Sequence, residues 1–222
     1  MTPNETAPQE TGLQFFGKLS ASVSHDLKNV LSIINEKAGL LEDFCHMARR
    51  GMAIDMDRIN AVTTQVKGQV DRADQIIRCF NRFAHSTDHP VAPMDLGESV
   101  GTLVQLTQRL LAQKEVAAHV QPSETAAVII TRPLMAQELI WAGIQWVAER
   151  LGAKKEISIA VERSKDGAHI LIGPVTDRSE GIADAIASIA TEVMTQALRA
   201  ELSLDPASGM LRIHLAPLQA PP

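Results

Sequence analysis

Tyrosine is absent from this chain of 222 residues, and aromatic residues of all kinds make up only 3% of it. That scarcity argues against a stacking platform for single-stranded nucleic acid. It also leaves the core to Leu, Ile, Val, Ala and Met, which favours packed helices. The formal net charge is -5 and no basic stripe offsets it, so nucleic acid is not an expected partner. No apolar run approaches the ~18 residues needed to cross a bilayer, so no membrane is expected either. The first residues, MTPNETAPQETG, lack the charged-then-apolar pattern of a signal peptide, and the cytoplasm is the expected compartment. The two cysteines, Cys45 and Cys79, are far apart on apolar helical faces and read as reduced core thiols. Apart from His25, the histidines do not converge. His85 and His89 flank a linker, while His46, His119, His169 and His214 fall in separate elements, so no metal site is expected.

What is present is enough apolar residue, 45%, for one large domain or two small ones. Residues 1–10 read as a disordered tail rich in Thr, Pro, Glu and Gln. A helix is predicted from about Thr11 to Arg50, with Phe16, Val23, Leu27, Val30, Leu31, Ile34, Ala38, Leu41 and Cys45 in one stripe at about 100° per residue. Gly51 is placed to end it, after Arg49 and Arg50. A short loop leads to a second helix, with Asp55 or Asp57 near its start. Its seam, Ile59, Val62, Val66, Gln69, Ala73, Ile76, Phe80 and Phe83, alternates steps of three and four like a coiled coil. Two such helices form an antiparallel hairpin over residues 11–88. Its stripes are too long to be buried by each other. A second copy, giving a homodimeric four-helix bundle, or the rest of the chain must cover them.

Ser86 to Pro93 loses the periodicity and reads as a boundary. Residues 94–218 then alternate. Helices are expected at Leu96–Gln113, Pro133–Leu151 and Gly181–Ala200, and strands at Val116–Val120 and Ala127–Thr131. Two hairpins are expected, EISIAVER with AHILIGPV, and ELSL with MLRIHLAP. The expected fold class is α+β: a long helical hairpin forming a dimeric bundle, followed by a two-layer α/β sandwich.

On the first helix His25 lies opposite the apolar stripe, among Ser22, Asn29, Ser32 and Glu36, with Asp26 beside it. A histidine held in solvent on a rigid helix next to a carboxylate is either a nucleophile or a surface histidine.

The stretch His25, Asp26, Leu27, Lys28, Asn29, Val30, Leu31 resembles the phospho-acceptor box of two-component sensor histidine kinases: His, acidic, Leu, basic, Thr or Asn, Pro, Leu. Val30 is the departure, and without proline the helix should run straighter. The resemblance implies that His25 carries a phosphoryl group and that Asp26 fixes its tautomer by accepting from Nδ1–H. Asn29 then either positions water for dephosphorylating a receiver domain or is a solvated amide. Lys28 is a solvated lysine or a phosphate contact.

The second domain resembles the ATP-binding domain of that family in layout but not in its chemical residues. Trp141 and Gln145 stand where the family has two asparagines, the second of which holds magnesium, and Trp146 replaces a small residue. The Asp-x-Gly-x-Gly box is reduced to Asp177, Arg178, Ser179, Glu180 and Gly181, and a helix predicted from Ile182 to Ala200 leaves no length for a flexible lid. No usable phosphate cradle is expected, and no cofactor, with magnesium left to the partner receiver domain.

The resemblance is closest in type to ChpT-like histidine phosphotransferases. It implies a homodimeric phosphorelay protein that shuttles a phosphoryl group between response regulator receiver domains. Catalytic residues would be His25, Asp26 and Asn29, and the partner would touch Lys28, Ser32, Ile33, Glu36 and Leu40. The other expectations are a diverged histidine kinase that still binds ATP through Asp177, and a non-catalytic dimer that binds a response regulator.

Overall fold

The computed structural model describes residues 6–123, 125–153, 155–176 and 189–219. Helix α1 runs Thr6–Arg49 and α2 runs Met56–Ala84. The first thus begins five residues before the predicted start, inside the expected tail, and residues 1–5 of that tail lie outside the described residues. Gly51 ends α1 as expected. Its φ of +74° is the left-handed conformation that glycine adopts without strain. Gly51 N donates to Ala48 O at 2.9 Å and Met52 N to Met47 O at 3.2 Å, which together close a Schellman motif. Asp55 caps α2 by accepting from Asp57 N at 2.9 Å. The predicted seam of α2 holds, and Val62 and Phe83 are buried.

The stripe of α1 is less regular than predicted. The buried positions are Phe15, Leu19, Val23, Val30 and Phe44, while Leu31 is 62% exposed and Ala38 and Cys45 also face solvent. Physically, α2 and the α/β part bury one edge of the stripe and leave the other uncovered. All the phenylalanines sit in this hairpin. Phe15, Phe16, Phe80 and Phe83 form one cluster, with Phe16 stacked on Phe83 at 5.3 Å and Phe15 edge-on to Phe83 at 5.6 Å.

A 3-10 turn, His85–Thr87, leads to strand β1, Ala92–Asp95. This strand falls within and just after the expected linker. It pairs antiparallel with β3, Val128–Thr131, in a small separate sheet. Helix α3, Leu96–Ala112, is capped by Asp95, which accepts from Glu98 N at 3.1 Å. Strand β2 is Ala117–Val120 and helix α4 is Pro133–Ala148. Then come β4, Glu156–Arg163, β5, Ala168–Gly173, helix α5, Glu192–Leu198, β6, Ala200–Leu204, and β7, Leu211–Leu215. The main sheet has the order β2-β4-β5-β7-β6, with β2 parallel to β4 and the other pairs antiparallel.

Helix α4 packs on the sheet and is buried nearly all round, as an apolar helix without a polar face must be. Gly143 permits the approach: a Cβ there would sit 3.1 Å from Ile213 Cδ1 and 3.2 Å from both Ile172 Cδ1 and Leu211 Cδ2. The continuous helix expected up to Ala200 is not observed. Ala190 is not helical, Thr191 caps α5 by accepting from Met194 N at 3.2 Å, and Ala200 is already strand. The upstream part of that predicted helix, with Asp177, Arg178, Ser179, Glu180 and Gly181, lies outside the described residues.

The two parts of the chain do not have separate cores. One hydrophobic cluster runs from Phe15, Leu19, Val23 and Phe83 through α3 and α4 to Leu215. Polar contacts join them as well. Arg82 Nη1 meets Glu98 Oε1 at 3.1 Å, and the Cys79 thiol donates to Gln105 Oε1 at 2.7 Å. The chain itself therefore covers the open end of the hairpin, while the stretch around Leu31, Val70 and Ile77 stays bare. Neither cysteine is disulfide-bonded, and Cys45 is exposed rather than in the core.

Candidate functional site

His25 lies about the middle of α1, where helix geometry gives it neighbours at i±3 and i±4. Its side chain is 50% exposed. Asn29, one turn on, places Nδ2 3.2 Å from His25 Nδ1. Asp26 Oδ1 stands 4.0 Å from the same nitrogen, beyond hydrogen-bond reach. The expected hydrogen bond from Nδ1–H to Asp26 is therefore not formed here, because Asp26 turns towards α3. There its Oδ1 lies 3.4 Å from Arg109 Nε, with both side chains less than one-third exposed.

That arginine carries no signal in the local sequence. It is one cation on an amphipathic helix far along the chain, and only the packing of α3 against α1 reveals it. Ser22, expected on the polar face, is 1% exposed, and its Oγ has no hydrogen-bond partner. The same crossing of α3 buries it.

Two open grooves flank the C-terminal side of His25. One, of about 540 Å³, lies between the hairpin and α3 and is lined by Asp26, Asn29, Arg72, Gln75, Gln105 and Arg109, among others. The second, of about 360 Å³ between α1 and α2, shares Asp26, Asn29 and Arg72 and adds Ser32 and Ile33. Of the predicted partner residues, Ser32 and Ile33 thus border a groove next to the catalytic candidates, while Lys28, Glu36 and Leu40 do not line it. Ile33 and Leu40 are half-buried, whereas Lys28, Ser32 and Glu36 are exposed.

On α4, Trp141 and Gln145 stand on the face that borders α1 and two open hollows. Trp141 is buried and Gln145 half-buried. Together with Gln14, Lys18, Glu138 and Thr191 they border a cavity of about 220 Å³. Glu138, buried to 7% exposure, has its carboxyl pushed up to about 7 by burial. An acid within the apolar run LMAQELIWAGIQW was a signal that periodicity alone passed over.

His169 and His214 were expected to be isolated, but adjacent strands bring them opposite each other with ring centroids 4.7 Å apart. Burial, then the neighbouring His214, holds the His169 imidazole below its ordinary value. Among the described residues no group of three or more His, Cys, Asp and Glu is arranged to hold a metal, and no helix is long and apolar enough to cross a membrane.

No known protein family matches the sequence, and neither does any curated protein. Solved structures do show a likeness. The Acinetobacter baumannii histidine kinase AdeS is 12% identical, covering 86% of this chain and 97% of its own, with a TM-score of 0.45. A bacterial phosphotransferase is 11% identical over 90% of this chain and 95% of its own, with a TM-score of 0.46. The ATP binding domain of PrrB from Mycobacterium tuberculosis is 15% identical over 60% of this chain and 100% of its own, also with a TM-score of 0.46. The roles of individual residues in this chain rest on the site's own geometry.

Proposed function

We propose that this protein is a histidine phosphotransferase of the ChpT-like type, moving a phosphoryl group between receiver-domain aspartates through His25. The observation that carries the reading is the setting of that imidazole. It is half-exposed on a rigid helix, Nδ1 is engaged by Asn29 at 3.2 Å, and among the described residues nothing hydrogen-bonds Nε2. Attack through Nε2 requires the proton on Nδ1. The Asn29 amide serves both states of the ring. In the structure Nδ2 faces Nδ1 and donates to it, and a half-turn of the amide presents Oδ1 instead, which accepts Nδ1–H and favours the tautomer that attack requires.

In the transfer, Nε2 forms a bond to phosphorus as the acyl-phosphate P–O bond of the receiver breaks. The electron pair returns to the receiver's aspartate as a carboxylate, and the Nδ1 proton stays on the ring until water takes it. Asp26, paired with Arg109, supplies a fixed negative charge near the cationic ring. Magnesium belongs to the receiver in this scheme.

The receiver docks across the hairpin beside His25. Exposed Lys28, Ser32 and Glu36 offer polar contacts, and half-buried Ile33 and Leu40 an apolar one. The bare edge of the hairpin with Leu31, Val70 and Ile77 supports the homodimer, since a second copy covers an apolar stripe of this length. Trp141, an indole that cannot ligate magnesium, supports a protein that takes its phosphoryl group from a receiver rather than from ATP.

The test is incubation with a phosphorylated receiver domain. Wild-type protein should acquire acid-labile label, and His25→Ala protein should acquire none. Label on the His25→Ala protein would refute the assignment. Magnesium-dependent ATP binding at micromolar affinity, measured by calorimetry, would favour a diverged kinase instead. A wild-type protein that binds the receiver but never takes label would be a non-catalytic binding dimer.

A further inference from the structure

A third hollow touches His25 from the other side. It has a volume of about 480 Å³, lies between α1, α3 and α4, and is bordered by Lys18, Ser22, His25, Arg109, Trp141 and Gln145 among others. On α1, residues 18, 22 and 25 follow the i, i+4, i+7 spacing of one helix face, so Ser22 and Lys18 lie one and two turns back from His25. Asn29 engages Nδ1 from the C-terminal side. His25 itself borders this hollow, so its imidazole stands between Asn29 and that space.

Its chemistry suits an anion. The described residues lining it include Lys18, Arg109 and Lys114 and no carboxylate. Lys114 is already held by Glu149 at 2.9 Å and Arg109 by Asp26, whereas Lys18 has no ion-pair partner among the described residues. Ser22 Oγ, fully buried and unpartnered, is a donor without an acceptor. A buried hydroxyl left unsatisfied costs free energy that a bound acceptor would recover.

We propose that this hollow is a phosphoryl-holding subsite: once Nε2 of His25 carries a phosphoryl group, its oxygens are received by Lys18, Ser22 Oγ and Arg109. The proposal rests on the phosphotransferase reading, and it assigns what that reading leaves open, namely how the carrier keeps its cargo. Cations and a hydroxyl around the phosphoryl oxygens keep them unprotonated and shield phosphorus from water. The bond to nitrogen therefore survives until a receiver docks.

The experiment uses phosphoramidate, a chemical donor that phosphorylates imidazole and releases ammonia, so no receiver is involved. Wild-type, Lys18→Gln, Lys18→Arg and Ser22→Ala proteins are labelled. The half-life of the label on His25 and the titration of its phosphoryl group by phosphorus NMR are then measured. Lys18→Gln should shorten the half-life about tenfold and raise the titration midpoint, the loss expected for one charge-assisted hydrogen bond. Lys18→Arg should restore both. Ser22→Ala should act in the same direction without lowering the melting temperature, because it removes only an unpartnered hydroxyl.

Equal half-lives and midpoints in all four proteins would overturn the proposal, as would labelling of other histidines while His25 stays bare. Inorganic phosphate tests the other source of the same chemistry. If phosphorylation of His25 expels bound phosphate, the subsite belongs to His25. If phosphate binds equally before and after phosphorylation, the hollow is a separate anion site and the proposal fails. Failure of the phosphotransferase reading appears elsewhere, as the absence of label from a phosphorylated receiver.

Discussion

Replacing Glu138 by Gln should stabilise the protein above neutral pH and leave it unchanged in acid. Glu138 sits on α4 against α1, where a Cβ at Gly12 would lie 3.9 Å from its Oε2. Burial lifts its pKa from 4.5 to about 7. The native state therefore binds more protons than the unfolded chain between those values, and stability falls as pH rises through that window. At 1.36 kcal/mol per pH unit the full cost of ionising the folded protein is about 3 kcal/mol. Water entering the cavity beside the carboxyl screens part of this, so about 2 kcal/mol is expected at pH 8. Glutamine keeps the volume and never ionises. Urea unfolding of both proteins from pH 4.5 to pH 8 should give coincident midpoints at the acid end and a Glu138→Gln midpoint that is higher by the equivalent of about 2 kcal/mol at pH 8. The comparison isolates Glu138 from the histidines, which titrate alike in both proteins. A difference that does not vary with pH would refute the reasoning.

Gly143→Ala should cost about 1–3 kcal/mol, because its methyl meets three side-chain carbons on the sheet at 3.1–3.2 Å; an unchanged urea midpoint would show that the sheet side chains yield freely. Asp55→Ala should cost about 1 kcal/mol through loss of the cap on α2, read as a lower melting temperature. Leu31→Glu should convert a dimer to a monomer in sedimentation, and a wild-type protein already monomeric at micromolar concentration would remove the four-helix bundle.

Where structure followed local chemistry, the sequence was legible. Gly51 ended α1, Asp55 capped α2, and the alternating residues around SKDG and DPASG became hairpins, because each depends on neighbours within a few positions. Strand β1 escaped notice since it is short and contains Pro93, which belongs at a sheet edge; pairing with β3 alone makes it a strand. The break at Ala190 and Thr191 was hidden by helix-forming residues on both sides. That His25, Asp26 and Asn29 lie next to one another could be read from one turn of helix. What could not be read was which partner each would take. Arg109, Ser22's burial and the exposure of Leu31 all follow from where α3 crosses the hairpin, and periodicity within α1 has no information about that crossing. The same holds for His169 and His214, which strand order brings together.

The scarcity of aromatic residues has a practical side. With no tyrosine in the chain, near-ultraviolet emission comes from Trp141 and Trp146, both on α4. Trp146 lies under the Arg150 guanidinium, 4.4 Å from its ring centroid, away from the hollow beside His25. Trp141 borders that hollow. The protein thus carries its own optical gauge at the junction of α1, α3 and α4. A change in charge at His25, the arrival of an anion or a shift of α1 on α4 should register as a change in colour or brightness, without any label being attached.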